Sequence, residues 1–265
     1  MSRHEAISTR PAEGRPLAQE VPVALVYNGT TQAVMMASPA DLEDFARGFS
    51  LTEGIVAALP EIEELEIVDH GAGVECRMWL APAAAARLGQ RRRAQAGPVG
   101  CGLCGIDSIE AALRPAAQVT TDALRMRSSV LTDGLAALRR AQPLHDATRA
   151  THAAGLWRPG AGLVAVREDV GRHNALDKLA GACAGRGETG AGAAVVLTSR
   201  VSVEMVQKAA AMGAEAVLAA SAPTALAVRM AEAAGLTLIA NLKGGAGRAM
   251  THPHRVQGPQ AGGVT

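Results

Sequence analysis

A chain of 265 residues with 48% apolar and 19% charged residues can bury a full core and is not a disordered polymer. Aromatic residues make up 2% and the formal net charge is +1, which removes the stacking platforms and the overall positive field that nucleic-acid binding uses. No apolar run is long enough to span a bilayer, and Met1-Ser2-Arg3-His4-Glu5 opens without the apolar core of a secretion signal. The expected compartment is the cytoplasm, with neither nucleic acid nor membrane as a partner.

In chain order, residues 1–16 lack periodicity and read as a flexible tail, followed by an α+β region over 17–96. Val23–Tyr27 and Thr31–Ala37 flank Asn28-Gly29, the dipeptide of a tight primed turn, and predict a hairpin. Ser38-Pro39-Ala40-Asp41 predicts a helix start, with Ser38 as cap and Pro39 in the first turn. Leu42, Phe45, Ala46 and Phe49 give that helix one apolar face, and Gly54 marks its end. Leu65–His70 and Val74–Leu80 predict a second hairpin, and Ala83–Gln95 a helix. Glycines crowd residues 97–107 and predict a mobile loop, with Asp107 or Ser108 capping a short helix after it.

An α/β domain is expected over 108–257. Within it strands at Gly162–Arg167, Ala193–Ser199, Ala216–Ala219 and Leu236–Ala240 alternate with helices at Gly171–Ala184, Ser202–Met212 and Thr224–Ala234. That alternation predicts a sheet covered by helices. Glu204 and Lys208 have the spacing of a helical ion pair. Residues 258–265 read as a second flexible tail.

The chain has four cysteines. Cys76 lies in an alternating strand and Cys183 in a small-residue helix, so both read as buried hydrophobes. Cys101 and Cys104 stand in Gly100-Cys101-Gly102-Leu103-Cys104-Gly105. Such a pair serves zinc binding, dithiol redox chemistry or persulfide carriage. Zinc needs further ligands, and no second pair or matching histidine pair accompanies this one. A zinc deaminase needs a glutamate beside its histidine, and His152-Ala153-Ala154 has none. A redox pair prefers a rigid strand-to-helix junction. A glycine-rich arm suits a sulfur carrier, and the preceding Arg91-Arg92-Arg93 favours a thiolate or persulfide anion.

A second polar cluster, Arg167-Glu168-Asp169-Val170-Gly171-Arg172-His173-Asn174-Ala175-Leu176-Asp177-Lys178, falls where a strand hands over to a helix. Ligand sites of α/β sheets collect there, and Arg172, His173 and Asn174 are candidate contacts to a phosphate or a base. Asn241-Leu242-Lys243-Gly244-Gly245-Ala246 follows the last strand, is glycine-rich and lacks the spacing of a P-loop.

Together these motifs, with Ser199-Arg200-Val201-Ser202-Val203-Glu204-Met205 and Ser221-Ala222-Pro223-Thr224, resemble the formate dehydrogenase accessory sulfurtransferase family, FdhD. The resemblance implies a cytidine-deaminase-like layered α/β fold with a smaller N-terminal region of hairpins and helix, as a homodimer. It implies a sulfurtransferase that takes sulfur from a cysteine desulfurase as a persulfide on Cys101, with Cys104 as helper. The acceptor implied is the molybdenum or tungsten bis(molybdopterin guanine dinucleotide) cofactor, destined for formate dehydrogenase. The family's cofactor-contacting segment falls on Asn241, Leu242, Lys243, Gly244, Gly245 and Ala246. The departures are Thr148-Arg149-Ala150-Thr151 before His152, where the family has two glycines, and Asn241 and Lys243, where it has an aromatic residue and an arginine. No permanently bound metal is expected. A cofactor-binding chaperone that does no sulfur chemistry, and a zinc or redox protein, are the alternatives.

Overall fold

The structure is a computed structural model and describes residues 14, 16–95, 114–242 and 247–258. The expected cysteine loop and the short helix after it lie outside these residues. The first lobe is a four-stranded sheet built from β1 (Val21–Tyr27), β2 (Thr30–Ala37), β3 (Ile62–Asp69) and β4 (Val74–Leu80), in the order β2-β1-β4-β3. Asn28 and Gly29 both take left-handed backbone, with φ of 49° and 76°, which is the primed turn that their sequence predicts. Val23, Leu25, Cys76 and Met78 point to one face of the sheet. They pack there on Phe45, Ala46 and Phe49 of α1 (Leu42–Thr52) and on Ala84 and Leu88 of α2 (Pro82–Gln95).

The start of α1 differs from expectation. Its cap position is Asp41, in left-handed backbone and without a side-chain cap. Ser38 does not cap the helix, because all its polar groups bond to the other lobe. Its N–H donates to Asp169 Oδ2 at 3.0 Å, its hydroxyl accepts from Val170 N at 3.1 Å, and its carbonyl accepts from Lys178 Nζ at 2.9 Å.

The second lobe is a six-stranded mixed sheet in the order β11-β10-β9-β8-β6-β7. Its strands are β6 (His152–Arg158), β7 (Gly162–Asp169), β8 (Ala194–Leu197), β9 (Ala216–Ala219), β10 (Thr237–Ala240) and β11 (Arg248–Ala249). A two-residue bridge pairs β5 (Met126–Arg127) with β12 (Val256–Gln257). Alternate side chains go to opposite faces. Leu156, Val195, Val217 and Leu238 face α5 (Arg172–Ala184), α6 (Val203–Ala211) and α7 (Ala225–Ala233). Trp157, Val196, Leu218 and Ile239 face Leu131, Leu135 and Leu138 of α3 (Val130–Arg140). A short α4 (Pro143–Thr148) links α3 to β6.

The sequence pattern carries no expectation for α3, α4 and β6, although β6 is central. It reads His-Ala-Ala-Gly-Leu-Trp-Arg with buried residues on both faces, so it lacks the alternation that marks a half-buried strand. The predicted Glu204–Lys208 pair is also not made. Lys208 turns inward to Asp177 and Glu53, and Glu204 pairs with His173. The buried carboxylate of Asp177 and the half-buried one of Glu53 together offer Lys208 a stronger field than Glu204 alone.

The lobes meet where α1 crosses α5. A Cβ on Gly48 would sit 1.7 Å from the Asp177 carbonyl oxygen, and one on Gly181 would sit 1.9 Å from that of Asp44. Only two glycines allow this backbone approach. Gly48→Ala and Gly181→Ala should therefore each lose about 2–4 kcal/mol in urea unfolding, as overpacked helix contacts do. Gly134→Ala in α3 meets only ordinary contacts at 3.8–4.0 Å and should be neutral or stabilising by up to about 1 kcal/mol. Equal losses at all three positions would contradict this packing.

Candidate functional site at the carboxyl edge of the parallel strands

The parallel strands β8, β9 and β10 end on one edge of the large sheet. Antiparallel β6 begins there, since Ala154 pairs with Leu197, and β7 ends there, since His152 pairs with Asp169. Three helices start from this edge, α5 after Gly171, α6 after Ser202 and α7 after Thr224. Only the last has a side-chain cap, Thr224 accepting from Ala227 N. The positive ends of the helix dipoles thus converge, an arrangement that favours an anion.

Arg172 adds a positive charge to that field, and two imidazoles stand beside it. Arg172 and His173 occupy the first turn of α5, and His152 opens β6. The Nε of Arg172 is buried and has no hydrogen-bond partner among the described residues. Burial holds the His152 imidazole below its ordinary pKa, with Arg172, His145 and His173 adding to the effect. His152 is therefore neutral at physiological pH. His173 Nε2 lies 2.7 Å from Glu204 Oε2 and 3.5 Å from Ser202 Oγ. That hydrogen bond keeps the Glu204 carboxyl below its ordinary range.

The rest of the Arg167–Lys178 cluster does another task. Arg167 donates from Nε and Nη2 to Asp44 Oδ2 at 2.8 and 2.6 Å. Glu168 accepts from Leu144 N, His145 N and Thr151 Oγ1, which fixes α4 under the edge. Asp169 accepts from Ser38 N, Gly171 N, Asn174 Nδ2 and Lys178 Nζ. Asn174 is buried, and its amide also donates to the Met36 carbonyl at 2.8 Å. Asn174 therefore belongs to the lobe interface and not to the open edge.

Of the segment after β10, Asn241 is exposed with φ of 61°, and Leu242 is buried in the core against α3. Leu242 anchors the segment rather than facing a ligand. Lys243, Gly244, Gly245 and Ala246 lie outside the described residues, as do Cys101 and Cys104. Of the basic run, Arg91 donates to the Glu53 carbonyl, and Arg92 to Gln32 and the Thr30 carbonyl. These two arginines clamp the first lobe. Cys76 and Cys183 are buried free thiols, pushed by burial up to about 12 and about 11. Neither can serve as a nucleophile at neutral pH. Among the described residues no group of three or more metal-binding side chains assembles, and no helix is long and apolar enough to cross a membrane.

The FdhD/NarQ family profile matches residues 18–257. The chain belongs to the FdhD/NarQ family. It is 54% identical over 239 residues to the sulfur carrier protein FdhD of Agrobacterium fabrum, covering 88% of this chain and 87% of that protein. It is 51% identical over 241 residues to the sulfur carrier protein FdhD of Cupriavidus necator, covering 91% of this chain and 83% of that one. A crystal structure assigned to a formate dehydrogenase accessory protein of Desulfotalea psychrophila has the same fold, with a TM-score of 0.69 at 24% identity, over 95% of this chain and 97% of that one. Sequence reasoning missed His152 and His145, whose place at the edge depends on the unpredicted β6 and α4. The histidine in His152-Ala153-Ala154 was the available signal.

His152 should titrate below about 6.5, the ordinary histidine value. Its depressed folded pKa means that the unfolded chain takes up the proton first, so its contribution to stability is lost as pH falls below about 6.5. In nuclear magnetic resonance titrations, Arg172→Ala should move the His152 midpoint upward. An unchanged midpoint would contradict the placement of Arg172 beside it.

Proposed function

We propose that this chain is a sulfur carrier that serves formate dehydrogenase maturation. Cys101 accepts a sulfur atom from a cysteine desulfurase, and the chain presents it to a bis(molybdopterin guanine dinucleotide) cofactor held at the carboxyl edge. The observation that carries the reading is the pairing of two features: relatives about half identical named as sulfur carriers, and an edge with three helix starts and an Arg172 whose buried Nε has no partner among the described residues. Such an edge fits the pyrophosphate groups of a dinucleotide. Arg172 and His173, with Asn241 and Lys243, Gly244, Gly245 and Ala246, are the proposed contacts. We read the mixed sheet with helices on both faces as the cytidine-deaminase-like layering, here without deaminase chemistry, since Ala154 replaces the proton-shuttling glutamate.

The transfer balances without an outside oxidant. The Cys101 thiolate attacks the outer sulfur of the desulfurase persulfide, and the desulfurase thiolate leaves. Cys101 then holds a persulfide. For delivery, the Cys104 thiolate attacks Cys101 Sγ and the outer sulfur departs as sulfide to the acceptor. The dithiol supplies the two electrons and ends as a Cys101–Cys104 disulfide; an external dithiol reductant of the thioredoxin type then reduces it by thiol–disulfide exchange and is itself left as the disulfide.

Incubation with a desulfurase and cysteine should add the mass of one sulfur atom to the Cys101 peptide. Cys101→Ala should abolish that gain and formate dehydrogenase activity while the chain stays folded. Cys104→Ala should still load Cys101 but deliver poorly. An unloaded parent chain that still restores the dehydrogenase would replace this reading with that of a cofactor chaperone.

A further inference from the structure

The four-stranded sheet of the first lobe packs one face on α1 and α2 and leaves the other open to solvent. Alternation sends Val34 and Met36 of β2, Ala24 and Val26 of β1 and Trp79 of β4 to the open side, away from Val23, Leu25, Cys76 and Met78. Val34, Met36 and Trp79 are 60%, 50% and 38% exposed. They are three of the six large apolar side chains exposed among the described residues, so that exposure is gathered on one face rather than scattered. The other half of the face is acidic. Glu64 and Glu66 of β3 stand opposite Trp79 and Arg77, and Glu75 lies beside them on β4. Arg77 bonds Glu75 at 2.7 Å and reaches Glu66 at 3.9 Å, and His70 lies 3.3 Å from Glu75. The face therefore sets three carboxylates against one guanidinium and an imidazole.

An open hollow of about 390 Å³ lies on this face between Val26, Thr31, Glu75, Arg77 and Trp79, with room for a side chain of a partner. The face runs about 20 Å along the strands from Met36 to Trp79 and about 14 Å across its four strands. A single extended peptide covers one strand width, so these dimensions ask for the surface of a folded protein. The Met36 end adjoins the cationic edge. Its carbonyl accepts from Asn174 Nδ2 at 2.8 Å, and Asn174 follows His173 at the start of α5. A protein seated on the face thus stands beside whatever the edge holds.

We propose that this face docks the protein that takes the dinucleotide cofactor from the edge, a partner with a basic rim around an apolar contact. The proposal rests on the sulfur-carrier reading, which makes apo-formate dehydrogenase that recipient. Its physical basis is charge complementarity. A protein that receives a dinucleotide must hold the pyrophosphates with arginines, lysines or helix starts around its own cleft. The mouth of that cleft is therefore basic, and it must come up to the edge to take the cofactor over. The cationic edge alone would repel such a mouth. Glu64, Glu66 and Glu75 on the adjoining face offset that repulsion and steer the approach. Val34, Met36 and Trp79 then supply the apolar contact that holds the encounter.

The test measures binding of the full chain to apo-formate dehydrogenase by surface plasmon resonance, for the parent, Val34→Glu/Met36→Glu and Glu64→Lys/Glu66→Lys. The first variant should weaken binding about ten-fold or more. The second should weaken it about five-fold or more at low salt and little at high salt. Melting temperature, guanosine diphosphate affinity and sulfur loading of the Cys101 peptide should match the parent in both. Should the first variant fold poorly, the charge reversal on exposed side chains decides alone. Parent-like affinity for the apoprotein in a folded variant would overturn the proposal. So would a fall from dimer to monomer in sedimentation, which would give the face to a second copy, or slower loading, which would give it to the desulfurase. A parent chain that gains no sulfur would overturn the carrier reading itself. One that loads sulfur and binds guanosine diphosphate but not the apoprotein would overturn this proposal alone.

Discussion

The structure depends on the buried carboxylate of Asp169. It stands at the end of β7 and collects the backbone N–H of Ser38 from the first lobe, that of Gly171 at the start of α5, the amide of Asn174 and the ammonium of Lys178. Asp169 and Lys178 are both fully buried. Taking such a pair out of water is repaid only when every remaining lone pair and proton finds a partner. Here Lys178 also donates to the Ser38 carbonyl, and Asn174 to the Met36 carbonyl. The same few residues turn the strand into the helix and hold the two lobes together. Breaking a pair of this kind typically costs about 3–5 kcal/mol, because the surviving charge is left buried and alone.

This arrangement decides what α5 presents to a ligand. Because Asn174, Asp177 and Lys178 face the first lobe, only Arg172 and His173 in the first turn remain for the open edge. The close crossing of α1 and α5 at Gly48 and Gly181 then places the end of α1 against Lys208 of α6. Fold stability and site geometry are therefore not separate properties in this chain. The ion pairs that bind the lobes also set where the helix starts converge.

Much of this was legible in local sequence. Asn28-Gly29 marks its turn, Gly54 its helix end, and Ala216–Ala219 its strand, because each rests on backbone chemistry within a few residues. The failures were tertiary. Ser38-Pro39 has the composition of a helix cap, yet the partner of Ser38 lies more than a hundred residues away. Glu204 and Lys208 have ideal spacing, but each finds a better partner on another element. β6 hides because both its faces are buried, so its alternation vanishes. The motif around Asp169 was recognised as a cluster, while its division into interface residues and edge residues was not. Nothing in the linear pattern distinguishes Arg172 from Asn174; only the packing of α1 does.

The central claim is that the carboxyl edge holds the anionic end of a guanine dinucleotide through Arg172. Calorimetric titration of the full chain with guanosine diphosphate tests it most directly. Among the described residues the Nε of Arg172 makes no hydrogen bond that holds the fold, so Arg172→Ala should leave the melting temperature unchanged. Loss of a charged hydrogen bond of about 1.5–3 kcal/mol should weaken binding by roughly ten-fold to a hundred-fold. Equal affinity in the two chains would contradict the account.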